Sequence, residues 1–543
     1  MSVPGAKALL LLLPGLAVAL IVACSGGKAS PTTSSAEWPT YSQNLARTGA
    51  ALGETTITKA NVANLAVKWK FATKGPVASS PVVATVDVPS EGSVRVVFAA
   101  SYDGNVYAIR ASDGEEIWRF TVKPHPGASY GAIVSTPFVA EVGGAWRLYA
   151  GGGETMYALD AGTGEKLWEF DAGTGCTTCD GATERNEILS SPAVLPDDDL
   201  VLFGMDINDR EPGKGGFYAL SAKDGRLRWY FDVEAGHACY PDGGDDIRRF
   251  DGYHSAEELG LPADFLATRE GCDFDRTETA CGNVWSPVTV DTGRKLIYFT
   301  TSNCDTDDDP NTAPPPPPMP QDDEAIVALR YDGTQAWTWR PREVDNNDLA
   351  FGAGPNLATA TIDGKERAVV GVGGKDGAYY LLDRDGTNEL TGEIEPYWTK
   401  SLVEGNDIGG FTGTATVQGS TIYAFTAINE GAPAWALNAD DGSVVWSNPK
   451  AANFYGGMSS VPGVLFAGGI DTKLHAYDAG TGDLIASFPL EGLGFSQAAI
   501  VDGVVYVGSG FGTGSSTGPN VAKEAALTPA AVWAFCVQGE EGC

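Results

Sequence analysis

The sequence predicts an all-β fold, an eight-bladed β-propeller of four-stranded blades, and three observations predict it. A short hairpin phrase recurs along the chain, a strand opening on small residues precedes each copy, and the two chain ends supply the halves of one incomplete unit. Self-similarity of this kind marks a modular fold whose units cannot bury their apolar faces alone.

The phrase reads VYAIRASDGEEIWRF at 106–120, MYALDAGTGEKLWEF at 156–170 and FYALSAKDGRLRWYF at 217–231. It returns as IVALRYDGTQAWTW from Ile326, WALNADDGSVVW from Trp435 and LHAYDAGTGDLIASF from Leu474, with a looser copy, YYLLDRDGT, from Tyr379. Each is a period-2 strand, a turn whose Asp-Gly or Thr-Gly supplies positive φ, and a second strand carrying Trp or another bulky residue.

Another pair of strands lies upstream of each phrase, and its first member opens on small residues. It reads SSPVVA from Ser79, STPFVA from Ser135, SSPAVL from Ser190 and WSPVTV from Trp285. Weaker versions are GPNLATA from Gly354, FTGTATV from Phe411, SSVPGVL from Ser459 and FSQAAIV from Phe495. Eight four-stranded units repeated radially, with small residues where the inner strands approach the axis, make a propeller.

The ends support closure. The last unit has a third strand at 532–535 but no turn-and-Trp strand after it, while LAVKWKF at 65–71 is a Trp strand with nothing before it to pair with. Trp69 is therefore expected to complete the eighth blade and leave no open edge. An open two-layer β-protein is the competing architecture. The length of 543 residues alone would suggest several domains, but the repeats unite 38–543 into one propeller, with long loop insertions expected on one face.

Before the repeats, residues 1–23 carry Lys7, an apolar run at 9–22 and the boundary Ile21-Val22-Ala23-Cys24. This reads as a secretory signal peptide, and its end resembles the lipobox of bacterial lipoproteins. Cys24 would then carry lipid, and 24–37 would be a flexible tether. The chain is expected to be exported and lipid-anchored to the bacterial cell envelope, on its periplasmic or cell-surface side. An uncleaved anchor or a plain signal peptide are the alternatives.

Without Cys24, the cysteines are Cys176, Cys179, Cys239, Cys272, Cys281, Cys304, Cys536 and Cys543, an even set such as an oxidising compartment favours. Structural disulfides are expected, with Cys272–Cys281 and Cys536–Cys543 as local pairs. Cys176-Thr-Thr-Cys179 would otherwise be a redox or metal pair. No second such pair and no adjacent histidine supports zinc, and no following histidine supports c-type haem.

A formal net charge of −34 argues against nucleic-acid partners. Asp305, Asp307, Asp308 and Asp309 precede a proline run at 314–318, so this loop would hold calcium or be a solvated acidic stretch. Further insertions fall at 171–187, 233–283, 386–396 and 510–529. The longest holds Tyr240, His254 and a short helix expected from Ala256, with Ser255 and Glu258 placed as its capping box. Loops of this length carry function when they gather over an axial opening.

Over 38–535 the repeats resemble those of the pyrroloquinoline quinone (PQQ) dehydrogenase superfamily, particularly its polyvinyl-alcohol-dehydrogenase-like branch. Trp285 in GNVWSPVTVD matches the tryptophan beneath the quinone, and Asn303 in IYFTTSNCD, 18 residues on, matches the calcium-ligating asparagine. EVDNNDLAFGAGPNL at 343–357 resembles the segment with the catalytic aspartate, which is Asp348 or Asp345 here. Asp348 is preferred, and it also counts as a metal ligand. GGKDGAYYLLDRDG at 373–386 places Lys375 where a basic residue contacts the quinone, and Glu211 is the candidate for the calcium-site glutamate. There is no Cys-Cys pair to cover the quinone and no fused cytochrome motif.

The resemblance implies an oxidoreductase that oxidises a small or polymeric alcohol with PQQ and Ca²⁺ and passes electrons to a separate acceptor. The other function class is a non-catalytic propeller lipoprotein, an envelope scaffold or binding module, because the outer-membrane assembly scaffold lipoprotein uses the same repeat.

Overall fold

Within the recurring phrase, alanine and tryptophan face each other across the hairpin. The cross-strand pairs are Ala108 with Trp118, Ala158 with Trp168, Ala219 with Trp229, Ala328 with Trp337, Ala436 with Trp446 and Ala534 with Trp69. A methyl opposite an indole leaves the ring room to lie over the sheet. In the first five pairs a bulge follows the alanine directly, which twists the hairpin at the same place in each blade.

The computed structural model describes residues 37–125, 131–172, 187–206, 215–233, 236–239, 282–302, 322–342, 347–427, 431–510, 529–540 and 543. The chain divides into two compact units, Met1–Thr32 and Thr33–Cys543. The first, which contains Cys24, lies outside the described residues, as does the helix expected from Ala256. Eight antiparallel sheets form the eight-bladed propeller. In chain order, blades 1 to 7 occupy 82–121, 138–171, 193–239, 289–339, 356–401, 416–448 and 459–489. Blade 8 joins Ala499–Val501, Val504–Ser509 and Ala530–Val537 to Leu65–Thr73.

Closure thus occurs as expected, with Trp69 opposite Ala534 in one sheet. Cys536, within this strand pair, and Cys543, beyond it, form the expected local disulfide. Two details differ. Blade 3 gains a fifth, outer strand, His237–Cys239. SSVPGVL is not one strand but a tight hairpin, Ser459–Val461 turning at Gly463 into Val464–Gly468, because Gly463 adopts φ +82°.

The tryptophans lock each blade to the next. The Nε1–H groups of Trp69, Trp118, Trp168, Trp229, Trp337, Trp398 and Trp446 donate to carbonyls of Ala111, Ala161, Ala222, Tyr331, Arg384, Ala439 and Ala479, at 2.9–3.2 Å. Each acceptor lies in the hairpin turn of the following blade. Gly164 shows why that turn needs glycine twice over. Its φ is +74°, and a Cβ there would stand 2.6 Å from the Trp118 ring.

Only the junction of blades 7 and 8 lacks the device. Ala486 stands where other blades carry tryptophan, paired with Ala476. The outer two strands of blade 8 come from opposite chain ends, so no Asp-Gly turn exists for an indole to dock on. Ile57, Val62 and Leu65 fill the junction instead, in one core with Phe466, Leu474 and Phe488, and Lys59 pairs with Asp478.

The small residues that open each inner strand tie the blades at the axis. Gln497 N–H donates to Ser80 Oγ at 3.0 Å, Ser80 N–H to Thr136 Oγ1 at 2.9 Å and Thr136 N–H to Ser191 Oγ at 3.1 Å.

The sequence reading missed what fills the axis. Residues 38–51, counted above as the start of the propeller, form no blade strand and bond to the inner strands all round. Main-chain bonds join Trp38 to Val83, Pro39 to Val139, Leu45 to Val290, Ala46 to Leu357, Thr48 to Val417 and Gly49 to Ser460, at 2.8–3.0 Å. Arg47 donates to Pro192 and Val288 carbonyls at 3.0 and 2.6 Å, and Ser42 N–H donates to Gln497 Oε1 at 2.8 Å. One segment therefore reaches every blade. Arg47 is fully buried, and burial pulls its guanidinium down to about 9. Among the described residues no helix is long and apolar enough to cross a membrane.

Candidate functional site

In an up-and-down blade, the turn between the second and third strands and the link to the next blade emerge on one face. Trp285 lies in the link entering blade 4 and Ser302 follows that blade's second strand. Asp348 lies in the link entering blade 5, and Lys375 lies in the turn after that blade's second strand. All four therefore share a face, at neighbouring blades.

Trp285 is fixed at two edges. Its Nε1–H donates to Ser302 Oγ at 2.6 Å, and Gly352 abuts the far edge so closely that a Cβ there would stand 2.7 Å from Cη2. The indole cannot rotate without breaking one contact or the other. Its ring remains partly exposed. Lys375 Nζ lies 5.8 Å from the ring centroid, within cation–π range.

The same Nζ donates to Asp348 Oδ1 at 2.7 Å. Lys375 is 9% exposed overall, unusual for lysine, and the Asp348 side chain is 37% exposed. The pair thus presents its carboxylate outward and keeps its amine beneath. Asp348 adopts φ +51°, a left-handed conformation uncommon for a non-glycine residue and often met at functional sites.

The backbone around Lys375 is packed from both sides. Its N–H donates to the Ala350 carbonyl at 3.0 Å. On the other side Gly410 has φ +68°, and a Cβ there would come within 2.3 Å of the Lys375 carbonyl oxygen. The next residue, Asp376, accepts the Tyr380 hydroxyl. Burial, and then the Asp376 charge, push the Tyr380 phenol above its usual range.

Three residues singled out in the sequence, Trp285, Asp348 and Lys375, are thus brought together. Asn303, Asp345, Glu211 and the Cys176–Cys179 pair lie outside the described residues. Among the described residues no group of three or more His, Cys, Asp or Glu side chains could hold a metal ion. Ser302, Gly352 and Arg342 were missed. Ser302 stands directly before Asn303, a signal that could have been read, whereas nothing in the spacing of Gly352 or Arg342 marks them.

A family model described as glucose/ethanol/alcohol dehydrogenase, beta-propeller domain, matches residues 38–409, and one described as outer membrane protein assembly factor BamB matches 431–523. A polyvinylalcohol dehydrogenase of Pseudomonas sp. is 26% identical over 290 residues, 44% of this chain and 42% of the relative. Another, from Sphingopyxis sp. (strain 113P3), is 29% identical over 292 residues, 43% of this chain and 42% of the relative. The matched part thus spans less than half the length of these curated relatives.

Among solved structures, quinohemoprotein alcohol dehydrogenase from Comamonas testosteroni superposes with a TM-score of 0.67 at 19% identity, over 93% of this chain and 81% of that one. A europium-containing methanol dehydrogenase gives 0.65 at 18%, over 93% and 98%. At such identities the likeness concerns the fold. The family match extends over more than half of the residues, across the blades that carry Trp285, Asp348 and Lys375, and the chain belongs to the glucose/ethanol/alcohol dehydrogenase beta-propeller domain family.

Proposed function

We propose that this protein is an exported quinoprotein dehydrogenase that oxidises an alcohol with PQQ and calcium. The observation that carries the proposal is the Lys375–Asp348 ion pair beside a fixed, partly exposed tryptophan ring in a chain of this family. The donor set fits a planar, polyanionic quinone. Trp285 offers a flat apolar face, Lys375 an ammonium for a quinone oxygen or carboxylate, and Gly352 keeps the ring in place without crowding it. For calcium the expected oxygen donors are Asn303, Asp348 and Glu211, the hard ligand type this ion takes.

Held by Trp285 and Lys375, PQQ would supply an electrophilic centre for hydride, and Ca²⁺ would supply Lewis acidity. The chain's own part is positioning and proton transfer. Asp348 takes the alcohol hydroxyl proton, since its carboxylate is the exposed member of the pair. Lys375 keeps that carboxylate oriented, and Trp285, held by Ser302, provides the stacking floor. Electrons leave to a separate acceptor, and the product is an aldehyde or ketone. A small or polymeric alcohol is the substrate class, as the likeness to two polyvinylalcohol dehydrogenases suggests.

Export and attachment through a lipid on Cys24 belong to the same reading, motivated by the Ile-Val-Ala-Cys boundary. Intact mass of the mature chain tests this, and an unmodified N-terminus elsewhere would sink it.

The catalytic test uses purified protein loaded with PQQ and Ca²⁺ and an artificial electron acceptor. In excess Ca²⁺, Asp348→Asn should keep the fold and bind PQQ but lower turnover by roughly 10²–10⁴-fold. A severe effect of Asp345→Asn with a mild one at Asp348 would move the base to Asp345. A wild type that binds neither PQQ nor Ca²⁺ and oxidises no alcohol would refute the proposal and leave the envelope scaffold or binding module, the reading favoured by the assembly-factor match at 431–523.

A further inference from the structure

The Asp348–Lys375 pair joins two loops, and a second side chain of the loop that carries Asp348 bridges them as well. Arg342 lies just beyond the outer strand of blade 4. Its Nη1 and Nη2 both donate to the Leu349 carbonyl, at 3.2 and 3.1 Å, and Nη2 also donates to Asp376 Oδ2 at 2.7 Å. Leu349 follows Asp348, and Asp376 follows Lys375. One guanidinium therefore ties the peptide beside the acid to the carboxylate beside the amine.

The surroundings hold this bridge firmly. Glu324 Oε2, on a side chain only 3% exposed, lies 3.6 Å from Nη1, so Arg342 sits between two carboxylates. Asp376 is braced in turn by the Tyr380 hydroxyl and by the Ala378 N–H at 3.1 Å. The planar fork suits the task, because Nη1 adds a second bond to the carbonyl and faces Glu324 while Nη2 holds Asp376, a set of contacts that a lysine's one nitrogen would have to carry alone. The left-handed backbone of Asp348 also needs restraint from its surroundings.

We propose that Arg342 is a positioning residue, which fixes Asp348 against Lys375 without itself touching substrate. Its consequence for turnover rests on the function proposed above, whereas its effect on the placement of Lys375 does not. Arg342→Gln and Arg342→Lys test both in the full chain.

In protein without added cofactor, acylation of Lys375 by acetic anhydride is compared by mass spectrometry with that of exposed Lys365. Loss of the bridge should raise the ratio roughly 5–10-fold in the Gln variant and less in the Lys variant, because local opening governs access to a buried amine. With PQQ and Ca²⁺, the Gln variant should lose roughly 10–100-fold in kcat, with KM and PQQ affinity within about threefold, as misplacement of a reacting group does. The Lys variant should recover part of this.

An unchanged Lys375 ratio in a variant that melts cooperatively overturns the proposal. So does a rise shared by all lysines, which marks general loosening, or an unchanged kcat in an active enzyme. A wild type that takes up no PQQ defeats the functional reading alone, since the labelling ratio still decides the placement.

Discussion

The rim of the propeller and its axial mouth use one repeated scaffold in opposite ways. At the rim, seven junctions repeat the same indole, glycine and carbonyl contact, and the eighth departs only where the chain ends meet. At the mouth, the turn between second and third strands keeps a shared brace. Asp103 accepts the Tyr107 hydroxyl at 2.8 Å, Asp376 accepts that of Tyr380, and Asp471 pairs with His475 at 2.8 Å. What changes is the residue before the aspartate, which is Tyr102 in blade 1, Ile470 in blade 7 and Lys375 in blade 5. Repetition specifies the fold, and a departure from repetition marks the candidate site.

The comparison is most easily broken by opening the ring. Deleting 65–73 removes the outer strand of blade 8 and the first indole lock together, and exposes strand edges. Cooperative unfolding should be lost in calorimetry and circular dichroism. A sharp transition near the wild-type midpoint would show that the seven remaining blades suffice.

Next in size is the exchange of rim residues. Trp118→Ala removes a buried indole and its bond to Ala161, and should cost about 3–5 kcal/mol in denaturant unfolding. Ala486→Trp introduces the missing indole at the eighth junction, where no turn receives it, and should destabilise by about 1–3 kcal/mol. If Ala486→Trp stabilises the protein, the junction has a slot after all and the distinction between it and the other seven fails.

Much of the rim was legible in the sequence because alanine, Asp-Gly and tryptophan recur at fixed offsets and each has one physical job. Trp69 could be assigned to the last blade from its missing partner alone. The axial segment was not legible, since 38–51 bonds through main-chain groups and its left-handed residues Ser42, Gln43 and Arg47 follow no periodicity. At the mouth, Trp285, Asp348 and Lys375 were found by resemblance to a family. Arg342 was not, because its work is to bridge Leu349 and Asp376 between two loops at blade 5, a contact with no sequence spacing of its own.

The smallest expected effect lies where blade 5 departs from the rim pattern. Leu381, not alanine, faces Trp398 there, and Arg384 both accepts Trp337 through its carbonyl and donates to Asp291 at 2.9 Å. Burial opposes ionisation of Asp291, but the Arg294 N–H and the Arg384 guanidinium outweigh it and hold the carboxyl below the usual range. Its folded pKa thus lies under the unfolded value of about 3.9, so its contribution is complete above about pH 4 and disappears as pH falls through the folded pKa. The melting midpoints of wild type and Asp291→Asn should differ at about pH 6, and the gap should shrink progressively as the pH falls below about 4. A constant gap would mean that Asp291 acts by shape and not by charge.

The central claim is that the departure at blade 5 makes a quinone site, and a binding titration of PQQ tests it most directly. Equilibrium dialysis with excess Ca²⁺ should show one PQQ per wild-type chain. Lys375→Ala should lose roughly 10-fold or more in affinity, in line with a charge-assisted contact. Lys473→Ala, which removes an exposed lysine beside the equivalent brace of blade 7, should bind like wild type. Equal affinity in all three proteins, or no binding by the wild type, would contradict the account.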